Sequence, residues 1–303
     1  MYIVSSQQYI KIYSKGLLKY IPKKFIPKIK PKFLTFLKNE EETIIGKVIG
    51  IFLTFERVPE DLYIDSIVEG VNKYKEEKTH SIVFEDMRYL DNNNIKVIEK
   101  RTGLKVINGE KVLIEFMPRA LKEIFLDIGE ESINFEVLLI TSKAESIKPL
   151  IKELSKRIRF LTIFVEETKN LEKVKEEILL ETGLSIYFTK DIDKTLANYY
   201  IIINLNNNVS LNVDILKPES IIFDFSNHNK ILKDIHLKNK KTVVINDFIF
   251  SNTNLFLQNE DVFELEKEIP SRLYELNTRL SEEDFKGFSV NGQKYSAKEI
   301  VST

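Results

Sequence analysis

The sequence predicts an α/β protein of two domains, an N-terminal parallel α/β domain followed by a doubly wound parallel sheet. Three observations carry this. Apolar runs of strand length alternate with segments whose apolar residues recur every three or four positions, as in parallel sheets covered by helices on both faces. The alternation breaks off and restarts near residue 135. The 303 residues of the chain also exceed what one core usually holds, since single cores stop growing at roughly 250–300 residues.

Residues 44–56 (IIGKVIGIFLTFE) read as a strand rich in Val and Ile. A helix is expected over 60–77, where Leu62, Ile64, Ile67, Val68, Val71 and Tyr74 share one face. SIVFED at 81–86 forms a short buried strand, and 92–103 a short helix stopped by Gly103. LKVINGEKVL at 104–113 gives another strand and 114–127 a helix. The second series has strands at 135–141, 161–167, 184–191, 199–206, 220–226 and 241–248. Helices at 145–157, 171–183 and 191–198 separate the first four of these. That pattern describes a Rossmann-like, NAD(P)-binding type of sheet. Residues 260–280 look helical, and 283–303 are polar. The expected boundaries are a basic arm at 1–43, an N-terminal catalytic-type domain at 44–130, a Rossmann-like domain at 131–260, and a C-terminal helical segment at 261–303 packing back on the N-terminal domain.

Composition excludes several chemistries. There is no cysteine, so disulfides, thiolate metal sites and cysteine catalysis are ruled out. The three histidines, His80, His228 and His236, do not cluster, and no metal site is expected. A net charge of −1 gives no reason to expect nucleic acid. No apolar run reaches the roughly 20 residues needed to span a bilayer, and residues 1–10 do not read as a signal peptide. The expectation is a cytoplasmic protein, with a peripheral membrane association open. Residues 1–38 hold nine lysines and no acid, interleaved with Leu, Ile, Phe and Tyr. Such a segment suits an anionic membrane surface, where each lysine contributes about 1 kcal/mol, or a protein partner. Pro22, Pro27 and Pro31 forbid one continuous amphipathic helix. An extended arm with its apolar residues packed on the body is the other reading.

Particular stretches carry a resemblance. GKVIGIFLTFERVP at 46–59 looks like a first strand and its exit loop, and Ile107-Asn108-Gly109 stands where a threonine-glycine-asparagine loop would. IDKTLANYYIIINLN at 192–206 resembles a short helix leading to a valine-rich strand, and PESIIFDFSNHNK at 218–230 a proline-led strand ending in aspartate. EIPSR at 268–272 is similar to an Ile-Pro-Ser-Arg entry into a catalytic helix. Over about residues 44–300 the order of segments resembles the long-chain acyl-(acyl-carrier-protein) reductases, relatives of shikimate dehydrogenase. The resemblance implies a two-domain dehydrogenase, a dinucleotide at the first turn of the second domain, and a cysteine that takes up an acyl group.

The residues that such chemistry needs are not there, so the chain reads as a degenerate relative. The implied cofactor turn is Thr141-Ser142-Lys143-Ala144-Glu145-Ser146, and no glycine occurs from 130 to 182. Dinucleotide turns use glycines for the tight bend and for the approach of backbone to the pyrophosphate. Ser142, Lys143 and Ser146 could bind an anion by side chain, and Glu166, in Glu166-Glu167, could meet a ribose hydroxyl. No cofactor is expected, and NAD if any. The implied cysteine position falls near Asn277, which cannot form a thioester, and the paired glycines after the last strand appear as Asn246-Asp247. Asp224 and His228 are the remaining candidates for proton transfer near the cleft, beside Asn108, Lys111 and Asn227. Three readings follow. The first is a divergent, catalytically inactive dehydrogenase-like protein that binds a ligand or a protein. The second is an active NAD(P)-dependent oxidoreductase on a small or acyl substrate. The third is a membrane-surface or scaffold protein acting through its basic arm.

Overall fold

In the computed structural model the described residues are 1–4, 30–51, 59–87, 90–129, 136–144, 147–156, 158, 160–167, 170–206, 209–226, 230–237, 242–259, 264–277 and 279–302. They form two compact units, Met1–Asn108 with Asn252–Arg279, and Gly109–Ser251 with Leu280–Thr303.

The first unit is built on a six-stranded sheet of order β13-β2-β3-β1-β4-β5. Its strands are β1 (Tyr2–Val4), β2 (Lys32–Lys38), β3 (Ile44–Gly50), β4 (Ser81–Phe84), β5 (Lys105–Ile107) and β13 (Phe256–Leu257). β1 runs parallel to both β3 and β4, and β4 parallel to β5, while β2 and β13 add an antiparallel edge. Helices α1 (Glu60–Tyr74) and α2 (Asn92–Thr102) follow β3 and β4. Ile64, Ile67, Val68 and Val71 recur at helical spacing on α1 and pack with Ile3, Ile49, Ile82 and Phe84 of the sheet. Burying one such side chain fully contributes about 1.5–3 kcal/mol. The Asp91 carboxylate caps α2 by accepting from Asn94 N at 2.7 Å. Gly103 ends the helix at φ 72°, a left-handed conformation that suits glycine.

The start of the chain corrects the expected arm. Tyr2–Val4 is the central strand of this sheet, and Lys32–Lys38 pairs antiparallel with β3. The lysine-rich composition concealed both strands. On β2 the lysines sit at the strand ends, Lys32 and Lys38, while Leu37 is buried. The rest of the predicted arm, residues 5–29, lies outside the described residues. The tail differs too. Among the described residues of 260–280 only α8 (Ser271–Tyr274) is helical, preceded by the extended β14 (Glu268–Pro270). Proline at 270 drives the residue before it to an extended conformation. Leu276 N and Asn277 N bond back three residues to Leu273 O and Tyr274 O, which closes the helix.

The second unit contains a wholly parallel sheet of order β11-β10-β9-β6-β7-β8. Its strands are β6 (Glu136–Lys143), β7 (Phe160–Glu167), β8 (Ser185–Thr189), β9 (Ile201–Asn204), β10 (Ile221–Asp224) and β11 (Val243–Ile245). Counted within the unit this is the order 6-5-4-1-2-3, the doubly wound arrangement of dinucleotide-binding sheets. The connecting helices are α4 (Lys148–Leu154), α5 (Leu171–Thr182), α6 (Ile192–Leu196) and α7 (Lys230–Leu237). Leu138, Ile140, Ile202, Ile222 and Val244 make one face of the sheet and pack with Leu196, Ile231 and Ile235.

Helix α3 (Glu110–Ile128) belongs to this unit, where a strand had been expected to run on to 113. Gly109, at φ 87°, turns the chain, and Val112, Leu113, Phe116, Met117, Ala120, Leu121 and Ile124 then bury one helical face. Phe116 meets Phe250 edge-on at 4.8 Å between ring centroids. The polar tail, given no element from sequence, forms the antiparallel β15 (Phe285–Val290) and β16 (Gln293–Tyr295), joined on the other side of β15 by β12 (Asp247–Ser251). Phe248, Phe285 and Phe288 are buried together there. Helix α9 (Ala297–Val301) closes the chain behind a capping box made by Ser296 and Glu299.

Candidate functional site at the sheet's switch point

In an open parallel sheet ligands bind outside the carboxyl ends of the strands, where the strand order reverses. In the second unit this point lies at β6, with β7 on one side and β9 on the other. Each neighbouring strand ends in polar residues here: Glu166 and Glu167 on β7, Asn204 and then Asn206 on β9, Asp224 and then Ser226 on β10, and Asn246 after β11.

These side chains are joined in a string. Asn204 Nδ2 donates to Asp224 Oδ1 at 2.9 Å. The backbone N–H of Ser226 donates to the same oxygen at 3.2 Å. Asn204 Oδ1 accepts from Asn206 N at 3.0 Å. Asn206 Nδ2 in turn donates to Glu166 Oε2 at 3.2 Å. That last bond connects two strands that are not neighbours, standing two strand spacings or about 9.5 Å apart, with β6 between them. The register pairs Ile140 with Asn204 and Thr141 with Val165, so the bond passes over β6 at the level of Ser142. Asn204 and Asn206 are each 1% exposed and Asp224 is 0% exposed, whereas Glu166 reaches solvent.

The residues singled out from sequence fare differently. Ser142 and Glu166 do come to one level on adjacent strands. Lys143 is paired by its backbone with Glu167, and its side chain lies outside the described residues, as do Ser146 and His228. Asp224 is at the carboxyl end of β10, as expected, but wholly buried and engaged by Asn204 and Ser226. Asn246 donates its N–H to Ser289 O at 2.9 Å, and its side-chain Oδ1 is buried with no hydrogen-bond partner. Asn204 and Asn206 were missed. Their signal is the first polar residue after the apolar run YYIII, repeated two positions on.

In the first unit Asn277 follows α8, with both polar atoms of its amide buried and unbonded. Arg272 donates from Nε to Phe84 O at 2.8 Å and from Nη2 to Glu85 O, so this guanidinium caps the carboxyl end of β4. Burial, with Glu85 as the second cause, pushes the Tyr2 phenol above its ordinary pKa. Among the described residues no group of three His, Cys, Asp or Glu side chains is placed to hold a metal ion. No helix among them is long and apolar enough to cross a membrane.

No family model matches the chain, and no curated protein sequence does. Solved structures are similar at low identity. L-tryptophan dehydrogenase from Nostoc punctiforme is 12% identical with a TM-score of 0.34, over 65% of this chain and 57% of that one. This chain therefore spans little more than half of that enzyme. Shikimate 5-dehydrogenase from Listeria monocytogenes, solved with shikimate and NAD, is 11% identical with a TM-score of 0.32, over 80% and 85% of the two chains. D-mandelate dehydrogenase from Rhodotorula graminis is 8% identical with a TM-score of 0.34, over 81% of each. The fold assignment rests on the strand order itself.

Such a fold implies a dinucleotide, and the stretch that would receive its diphosphate carries no glycine, since none occurs from 130 to 182. The ladder of β6 runs on to Lys143 opposite Glu167, through the stretch where a glycine turn would bend away. Thr141 is 2% exposed and Ala144 1% exposed.

Proposed function

We propose that this chain is a divergent Rossmann-fold protein that performs no hydride transfer and acts by binding a ligand or a protein. The observation that supports the reading is the Asn206–Glu166 bond across β6, together with the burial of Thr141, Ala144, Asn204 and Asn206. A dinucleotide laid across β6 at this level would compete with that bond, and a hydrogen bond to a charged group contributes about 1.5–3 kcal/mol. The absence of cysteine from the whole chain removes the thioester route independently. The test is calorimetric titration of the intact protein with NAD(H) and NADP(H) at low salt. No heat up to millimolar cofactor is expected. Binding in the micromolar range would overturn the reading.

One observation favours the alternative, an NAD-dependent oxidoreductase. Glu166 is exposed at the end of β7, the second strand of the unit's sheet, where dinucleotide sheets place the acid that meets a ribose hydroxyl. On that reading Glu166→Ala would abolish cofactor binding, with Ser142, Lys143 and Ser146 supplying the anion contacts.

A further inference from the structure

The string Glu166–Asn206–Asn204–Asp224 does more than obstruct. A dinucleotide at a switch point lies across the carboxyl ends of strands on both sides of the central one, with its pyrophosphate at a helix N-terminus. In this unit side chains tie those ends directly. Asn206 reaches from the exit of β9 to the end of β7, across β6. Asn204 carries the link onward to β10, where Asp224 also accepts from Ser226 N. Four consecutive strands, β7, β6, β9 and β10, are spanned without a ligand.

Burial and local turns support the same conclusion. The two asparagines are nearly inaccessible, so their amides depend on protein partners and not on solvent. The Asn204 side chain also accepts from Asn206 N, which fixes the direction in which Asn206 leaves β9. Leu205 N donates to Ile140 O at 2.8 Å, holding the exit of β9 against β6 so that Asn206 starts from a set position.

The geometry points to a built-in clasp: the Asn206–Glu166 bond, braced by Asn204 and Asp224, takes the structural place of a bound dinucleotide and holds the carboxyl edge of the sheet closed in every state of the protein. This rests on the reading that the switch point takes no dinucleotide, and it adds that the closure is made by these four side chains.

The experiment is amide hydrogen exchange on the full chain, read at 141–144 and 204–206, with and without millimolar NAD(H). The expected result is slow exchange in both segments, unaltered by the dinucleotide. Asn206→Ala and Glu166→Ala should each speed exchange there by about tenfold or more. Glu166→Gln, whose side-chain carbonyl can still accept from Asn206 Nδ2, should stay close to the parent. If Asn206→Ala compromises folding, Glu166→Ala reads the same bond from the exposed side. Fast exchange in the parent, or slow exchange in both alanine variants, would overturn the clasp. Calorimetry separates the two ideas. Cofactor binding with unchanged exchange at 204–206 sinks the proposed function and the clasp's standing in for a dinucleotide, and leaves only the bond's closure of the edge. No cofactor binding, with alanine variants that exchange like the parent, sinks the clasp alone.

Discussion

Asn204 is the residue on which the polar string turns. Its amide donates to one carboxylate and accepts from one backbone N–H, so both of its ends are used inside the protein. Replacing it with alanine takes one side-chain donor from Asp224, which is fully buried. A hydrogen bond to a charged group contributes about 1.5–3 kcal/mol. Urea unfolding of Asn204→Ala should show a loss in that range, and a change near zero would mean that Asp224 is held by other groups. Asp224 was legible as a strand-end acid from SIIFDF, because an ionisable residue after a buried run must be paired. What paired it was not legible. Asn204 stands 20 residues away in sequence and meets Asp224 only through the register of two parallel strands.

At the scale of elements, strands with uninterrupted apolar runs were readable because both faces of a parallel sheet are covered. β6, β7, β9 and β10 all fall inside the stretches expected for them or within two residues of those bounds. Elements whose identity depends on tertiary partners were not. β1 has three residues, too few for any periodicity, and becomes a strand because β3 and β4 flank it. The chain past Ser281 looked polar, yet Phe285 and Phe288 alternate with exposed or small residues and meet Phe248. The closing helix α9 was equally hidden, although Ser296 and Glu299 have the spacing of a capping box. That cap carries a pH dependence. The Ser296 backbone N–H first, and its hydroxyl second, hold the Glu299 carboxyl below the usual range. A carboxylate depressed in the folded state stabilises it above the unfolded pKa, and the contribution is lost as pH falls through the folded value. Helix α9 should therefore fray in acid. Ser296→Ala should move the Glu299 titration, followed by carbon NMR, back toward that of a free glutamate. An unmoved titration would show that the backbone donor alone sets it.

For the whole molecule, the two compact units divide the chain at other bounds than those expected. The boundary at 130 fails because α3 joins the second unit, and the tail divides at 279, with Asn252–Arg279 in the first unit and Leu280–Thr303 in the second. The position of β1 also bears on the basic arm. Removing residues 1–38 to test membrane binding would take out β1 and β2 together, so any lost binding could reflect a broken sheet. Substituting lysines within 5–29 avoids this. Deleting only Met1–Val4 should separate β3 from β4 and leave the first unit unable to fold cooperatively. Limited proteolysis would show this as rapid cleavage within 30–108, and a protease-resistant first unit would refute the central role of β1.

The same strand sets an order of events during synthesis. Tyr2 pairs with Val48 and with Val83, so β1 waits until more than 80 residues follow it in synthesis before both its edges are covered. The antiparallel edge waits longer still, because β13 reaches β2 from residues 256–257. Between these moments the whole parallel sheet of the other unit is translated. A nascent chain of this protein therefore carries an unfinished first sheet through most of its elongation. Lysines at both ends of β2 limit what that open edge can capture in the interval.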